Sequence, residues 1–310
     1  MLAAAGALLV GGIALLRRKH LRSNVIPPLS KDVQVISNLC YSSLDPACVL
    51  DLYLPADRSA PLLVFIHGGL FVSGDKADGV AIARYFAARG YAVACVNYRL
   101  SSRLPDSAVK HPAHTADVTH ALQWLASTQQ VDRYGYDMNH VVLLGHSVGA
   151  YVAALICVGA ETFPLNDMTI RGVIGVDGIY SMTQFYDEDP RWRTMVDAAM
   201  PDDRDDWLCP LLRASAKDSS DPTLTVDPAW LLLHSLEDPW VPRTQTECMA
   251  VQLLRLQFDV HVVFQDRGGD HDASLQRIGA GDHRPAGARR GDDSTALIET
   301  FLQHCKGQTN

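Results

Sequence analysis

Val141-Val142-Leu143-Leu144-Gly145-His146-Ser147-Val148-Gly149-Ala150-Tyr151-Val152-Ala153-Ala154 is the stretch on which the reading of this chain turns. Four consecutive apolar residues at 141–144 predict a strand buried on both faces of a sheet. Small residues over 148–158 predict a closely packed helix. Between the two lies the pentapeptide Gly145-His146-Ser147-Val148-Gly149. Its glycines let the chain turn sharply without Cβ clashes, so that the serine hydroxyl stands clear of the sheet. Ser147 is therefore the candidate nucleophile.

Outward from this point the same alternation repeats. Strands are predicted at 33–36, 49–54, 62–66, 91–97, 173–176, 230–233 and 260–264. Helices are predicted at 77–89, stopped by Gly90, and at 113–127, 244–256 and 297–304. Strands alternating with helices in this way imply an α/β architecture with a mostly parallel sheet covered on both faces. Two stretches break the rhythm. Residues 181–227, rich in Asp, Pro, Trp and Met, would suit a cap or lid, and 277–293 is expected to be a flexible surface loop. Residues 27–310 are thus expected to form one domain after a leader at 1–26.

A serine attacking a carbonyl creates an oxyanion that fixed donors must hold. Ile66-His67-Gly68-Gly69-Leu70-Phe71 follows a buried strand, and its paired glycines free backbone N–H groups to face a cleft. Gly68, Gly69 and Leu70 are candidate donors, joined by the N–H of Val148 after the nucleophile. The serine also needs a base, and the base an orienting acid. His271, in Gly268-Gly269-Asp270-His271-Asp272 just after the strand at 260–264, is the candidate base, with His283 as its rival. His261 reads as a packing residue of that strand, and His146 as pointing to the other side of the turn from Ser147. Asp238, in Leu236-Glu237-Asp238-Pro239, is the candidate acid, with Glu237 the alternative. Asp75, Asp177, Asp270 and Asp272 read as caps or loop-shaping residues.

Composition narrows the class. A net charge of −8 over 310 residues argues against a nucleic-acid partner, which needs a basic surface. The cysteines at 40, 48, 95, 157, 209, 248 and 305 are scattered and form no C-x-x-C pair, which points to a reducing, cytoplasmic compartment. The apolar run at 2–16 is short of the roughly 20 residues that a bilayer crossing needs. Arg17, Arg18 and Lys19 follow it, so an inserted run would leave the following domain in the cytosol. Membrane anchor and frayed apolar leader both stand as readings.

The motifs His67-Gly68-Gly69, Ser73-Gly74-Asp75-Lys76, Asn97-Tyr98-Arg99, Gly145-His146-Ser147-Val148-Gly149, Asp238 with Val241-Pro242, and His271 occur in linked order. Over roughly 47–305 the chain resembles the α/β-hydrolase superfamily, in its His-Gly-Gly group of esterases and lipases. The resemblance implies an eight-stranded sheet with a small cap region. It also implies a Ser147–Asp238–His271 triad and an acyl-enzyme mechanism with no metal or organic cofactor. The function so implied is cleavage of a carboxylic ester of a small or medium substrate. In finer detail His111-Pro112-Ala113-His114-Thr115-Ala116-Asp117-Val118 and Asp51-Leu52-Tyr53-Leu54-Pro55 are similar to kynurenine formamidases and isoprenylcysteine methylesterases. Hydrolysis of the amide in N-formylkynurenine is therefore the alternative, although Phe71 stands where formamidases carry Trp. A binding protein on a hydrolase fold is a third reading, since fold does not fix function. Such proteins commonly lack a triad member, and here every one has a candidate.

Overall fold

The computed structural model describes residues 26–102, 107–159, 165, 167–204, 207, 209–217, 219–221, 227–266, 269–280 and 293–307. Along the chain the strands are β1 (Gln34–Cys40), β2 (Val49–Leu54), β3 (Ala60–Ile66), β4 (Ala92–Val96), β5 (Tyr136–His146), β6 (Ile170–Val176), β7 (Ala229–Ser235) and β8 (Val260–Gln265). They form one eight-stranded sheet in the order β1-β2-β4-β3-β5-β6-β7-β8. β2 pairs antiparallel with β1 and β4, and every other pairing is parallel. Because side chains alternate across a strand, β3 feeds two cores. Leu62, Val64 and Ile66 enter one apolar cluster, Leu63 and Phe65 the other. The continuous apolar run thus marks a strand with no solvent face.

The helices are α1 (Val80–Ala87), α2 (Ala113–Ala126), α3 (Thr128–Tyr134), α4 (Val148–Val158), α5 (Met182–Glu188), α6 (Arg193–Ala199), α7 (Pro210–Ala216), α8 (Thr244–Arg255), α9 (His271–Arg277) and α10 (Ser294–Gly307). Every residue of α4 is buried, which the small side chains at Gly149, Ala150, Ala153 and Ala154 permit. The helix expected at 77–89 is divided: a 3-10 turn at Lys76–Gly79, capped by the Asp75 carboxylate, leads into α1. β5 is longer than its apolar run, because Tyr136 and Asp137 continue the pairing with Ala60 and Pro61.

The apolar run at 2–16, His283 and most of the loop expected at 277–293 lie outside the described residues. Among the described residues, no helix is long and apolar enough to cross a membrane.

Candidate active site

β5 ends at His146 and α4 begins at Val148, leaving Ser147 alone on the turn with φ 56° and ψ −121°. A non-glycine residue in that region carries strain of about 1–3 kcal/mol, which persists only where surrounding contacts enforce it. Here they do. The Ser147 N–H donates to the Val176 carbonyl at 3.0 Å, and its own carbonyl accepts from Ala150 at 3.1 Å. The flanking glycines are steric necessities. A Cβ on Gly145 would lie 2.2 Å from the Gly149 carbonyl oxygen, and one on Gly149 would lie 2.1 Å from that of Ile66.

His271 opens α9, whose N-terminus is capped by the Asp270 carboxylate accepting from Ala273. Its Nδ1 lies 2.6 Å from Asp238 Oδ2. The other Asp238 oxygen accepts from the N–H groups of Trp240 at 2.8 Å and Val241 at 3.1 Å. Burial penalises the charge on both partners, yet the pair overcomes it. The imidazole's hydrogen bond holds Asp238 below the usual carboxylate range, and Asp238, aided by Asp177 and Asp272, raises His271 above an ordinary histidine. Ser147 and His271 line the same cavity. They share it without a direct hydrogen bond, a contact that in catalytic pairs of this type commonly tightens when substrate arrives.

The His-Gly-Gly loop forms the facing wall. The His67 ring stacks on Tyr98 at 4.2 Å, and the Tyr98 hydroxyl donates to the His67 carbonyl. Gly69, Leu70 and Phe71 then take positive φ of 107°, 49° and 62° in succession. This turn directs the Gly69 carbonyl at Val72 and Ser73, both 3.1 Å away. Gly69 and Leu70 line the cavity beside Ser147. Gly68 packs directly against Ser147, since a Cβ there would lie 2.9 Å from that of the serine. Val148 opens α4, and the first N–H groups of a helix have no acceptor within it.

Of Asp177, Ser235 and Ser274, the side chains that bind these loops together, only Asp177 is named from the sequence, as a cap or loop-shaping residue. Asp177, fully buried at the end of β6, accepts from the Ser235 N–H at 2.7 Å and from the Ser274 hydroxyl. The Ser274 hydroxyl oxygen also lies 3.0 Å from the His271 carbonyl, and the Ser235 hydroxyl donates to that of Gly269 at 2.5 Å. Burial pushes the Asp177 carboxyl up to about 6, against the opposing pull of His271. Glu237, the alternative acid, instead accepts from the Gly269 N–H at 2.9 Å and so shapes the histidine loop. The expectation for His146 is corrected: it lines the same cavity as Ser147, its ring is 4.6 Å from that of His271, and its Nε2 is 2.9 Å from the His271 carbonyl. The β5 turn is tight enough to bring both neighbours to one side.

The other walls are mostly apolar: Leu70, Ile179, Phe185, Trp192, Met195 and Trp240, beside the polar Ser73 and Asp272, line a cleft open in part to solvent. Phe185, Trp192 and Met195 come from 181–227, the stretch that broke the strand–helix rhythm. Among the described residues three groups of His and Asp offer ligand atoms within 4.8 Å of one another. His146-Asp177-His271 and Asp177-His234-Asp238 share Asp177, the second adding the buried His234 at the end of β7; Asp259-His261-His304 stands apart from them.

An eight-stranded, mostly parallel sheet with a serine on the β5–α4 turn, an acid after β7 and a histidine after β8 defines the α/β-hydrolase fold. The family model BD-FAE matches residues 50–253, and the chain belongs to that family of α/β-hydrolase esterases. It is 27% identical over 230 residues to a probable isoprenylcysteine alpha-carbonyl methylesterase of Oryza sativa subsp. japonica, covering 70% of this chain and 53% of the relative. It is 33% identical over 178 residues to a kynurenine formamidase of Meyerozyma guilliermondii, covering 54% of this chain and 61% of the relative. Both matches therefore span less than two thirds of the relative's own length. The crystal structure of esterase B from Lactobacillus rhamnosis superposes with a TM-score of 0.75 at 21% identity, covering 98% of this chain and 95% of that one.

Proposed function

We propose that the protein is a serine carboxylesterase working through an acyl-enzyme on Ser147. One observation carries the proposal: a serine held on a strained elbow shares an apolar cavity with a histidine paired to a buried carboxylate. In this reading His271 takes the hydroxyl proton as Ser147 attacks, and Asp238 fixes the imidazole tautomer and stabilises the imidazolium. N–H groups of Gly69, Leu70 and Val148, with Gly68 behind them, hold the oxyanion. His271 then protonates the leaving alcohol, and water repeats the cycle to release the acid. The apolar walls favour an uncharged ester of small or medium size, and residues 181–227 act as the cap that shapes them. Seven free cysteines support a reducing, cytoplasmic location.

Ser147→Ala is expected to lower p-nitrophenyl acetate hydrolysis by about 10^4-fold or more, and to abolish fluorophosphonate labelling, with the melting temperature maintained. Turnover or labelling that survives the substitution defeats the proposal.

A second reading keeps every residue and changes the bond to a formamide, as the 33% identity to a kynurenine formamidase favours. Phe71 would not contact such a substrate, because it is buried behind the cavity and stacked on His114 at 4.4 Å. Comparing kcat/KM for N-formylkynurenine with that for acetyl and butyryl esters separates the two.

A further inference from the structure

On the edge strand of the sheet, away from the cavity, two imidazoles face one carboxylate. Asp259 immediately precedes β8, and its carbonyl is fixed by the Trp230 N–H at 2.7 Å. His261 follows on β8, in register with Leu231 of β7. His304 lies in the last turn of α10, three residues beyond the buried Phe301 that anchors that helix. His261 Nε2 is 3.3 Å from Asp259 Oδ1, and His304 Nε2 is 2.7 Å from Asp259 Oδ2. The rings are held by packing as well as by the carboxylate. His261 sits edge-on to Phe301 at 6.1 Å and to His304 at 5.4 Å.

We propose that Asp259, His261 and His304 form a surface site for a divalent transition-metal cation of the Zn2+ type, clamping the last helix to the edge strand. Two imidazole nitrogens and a carboxylate suit Zn2+, Ni2+ or Cu2+, whereas Mg2+ and Ca2+ require all-oxygen shells. Zinc held at 2.0–2.1 Å from tetrahedral ligands keeps their donor atoms about 3.3 Å apart. The His261–Asp259 separation of 3.3 Å already matches that spacing, and the His304–Asp259 separation of 2.7 Å falls short of it, so a small outward rotation of His304 admits the ion. All three side chains are 42–49% exposed, which leaves an entry path and room for water as a fourth ligand.

The site is independent of hydrolysis by position. In the parallel part of the sheet the candidate catalytic residues follow the C-terminal ends of β5, β7 and β8. Asp259 and His261 lie at the N-terminal end of β8, at the opposite end of the parallel strands. Metal bound there ties α10 to β8 and stabilises the folded chain, since the unfolded chain brings no such set of ligands together.

The test uses the full chain, freed of metal by a chelator and titrated with ZnCl2 by calorimetry and thermal melting. Expected are one Zn2+ per chain, a melting temperature that rises with Zn2+ concentration, and no response to MgCl2. His261→Ala and His304→Ala should each weaken binding by roughly tenfold or more, as even changes outside the ligand shell do. Asp259→Asn, which preserves shape and removes the charge, should do the same. Hydrolysis of p-nitrophenyl acetate should be unchanged in all three variants. Absence of 1:1 binding, or an affinity indifferent to these substitutions, would reduce the cluster to a surface ion pair and overturn the site. Zn2+ binding that persists in His261→Ala/His304→Ala and inhibits hydrolysis would place the ion at the histidines of the cavity instead, with the same consequence.

Discussion

Ser147, His271 and Asp238 each depend on the charge state of their neighbour. A histidine accepts the serine proton only when neutral, and the Asp238 hydrogen bond raises the affinity of His271 for a proton. The rate kcat/KM is therefore expected to fall as pH drops, with its midpoint above the ordinary histidine value of about 6.5. In Asp238→Asn the largest raising influence disappears, so the acid limb should move to lower pH. Asp177 and Asp272 still raise His271 in that variant, which makes the movement partial. At its pH optimum this variant should lose about 10^4-fold in kcat, because an amide no longer enforces the productive tautomer. Measuring kcat/KM from pH 4 to 9 for both proteins checks the argument. An acid limb in the same place for both would mean that another group controls it.

The elbow between β5 and α4 is set by backbone contact rather than by side-chain choice. An alanine at Gly149 would press its methyl into the carbonyls of Ile66 and His67, 2.1 and 2.8 Å away. Gly149→Ala should thus push the elbow and the His-Gly-Gly loop apart. The expected result is a loss of about 1–3 kcal/mol in urea unfolding, together with loss of hydrolysis. Unchanged activity would show that the two loops tolerate separation. This element was legible because its signal is local: Leu143, Leu144, the two glycines and the small residues of α4 sit within one window. The short helices α5, α6, α7 and α9, seven residues each, were not legible, since they span too few turns to show a periodicity. Ser147, Asp238 and His271 could be picked out by their place directly after apolar strands. Asp177 reads only as a cap or loop-shaping residue, and Ser235 and Ser274 have no role legible in the sequence, because their roles exist only once the ends of β6 and β7 and the start of α9 meet.

That meeting is a property of the whole sheet, and Asp177 is where it is concentrated. One carboxylate joins the end of β6 to the end of β7 through Ser235 and to α9 through Ser274, with His146, His234, Asp238 and His271 around it. Its carboxyl is raised to about 6 by burial, while that of Asp238 is lowered, so the two shift stability in opposite directions with pH. The unfolded chain releases the Asp177 proton near pH 3.9, roughly the free value. Between about pH 4 and 6 the folded state holds a proton that the unfolded state lacks, and Asp177 then favours folding less and less as pH rises. Asp238 does the reverse: its contribution is present above the unfolded value and is lost as pH falls through the folded one. Asp177→Asn isolates the first effect, because the amide oxygen can still accept from Ser235 and its nitrogen can donate to Ser274. The difference in unfolding free energy, variant minus wild type, should therefore grow with pH across that window and level off above it. One proton limits its slope to about 1.4 kcal/mol per pH unit. Urea unfolding of both proteins at intervals from pH 4 to 7.5 measures it. A difference constant with pH would mean that Asp177 stays ionised throughout, and that its environment compensates the charge more fully than its burial implies.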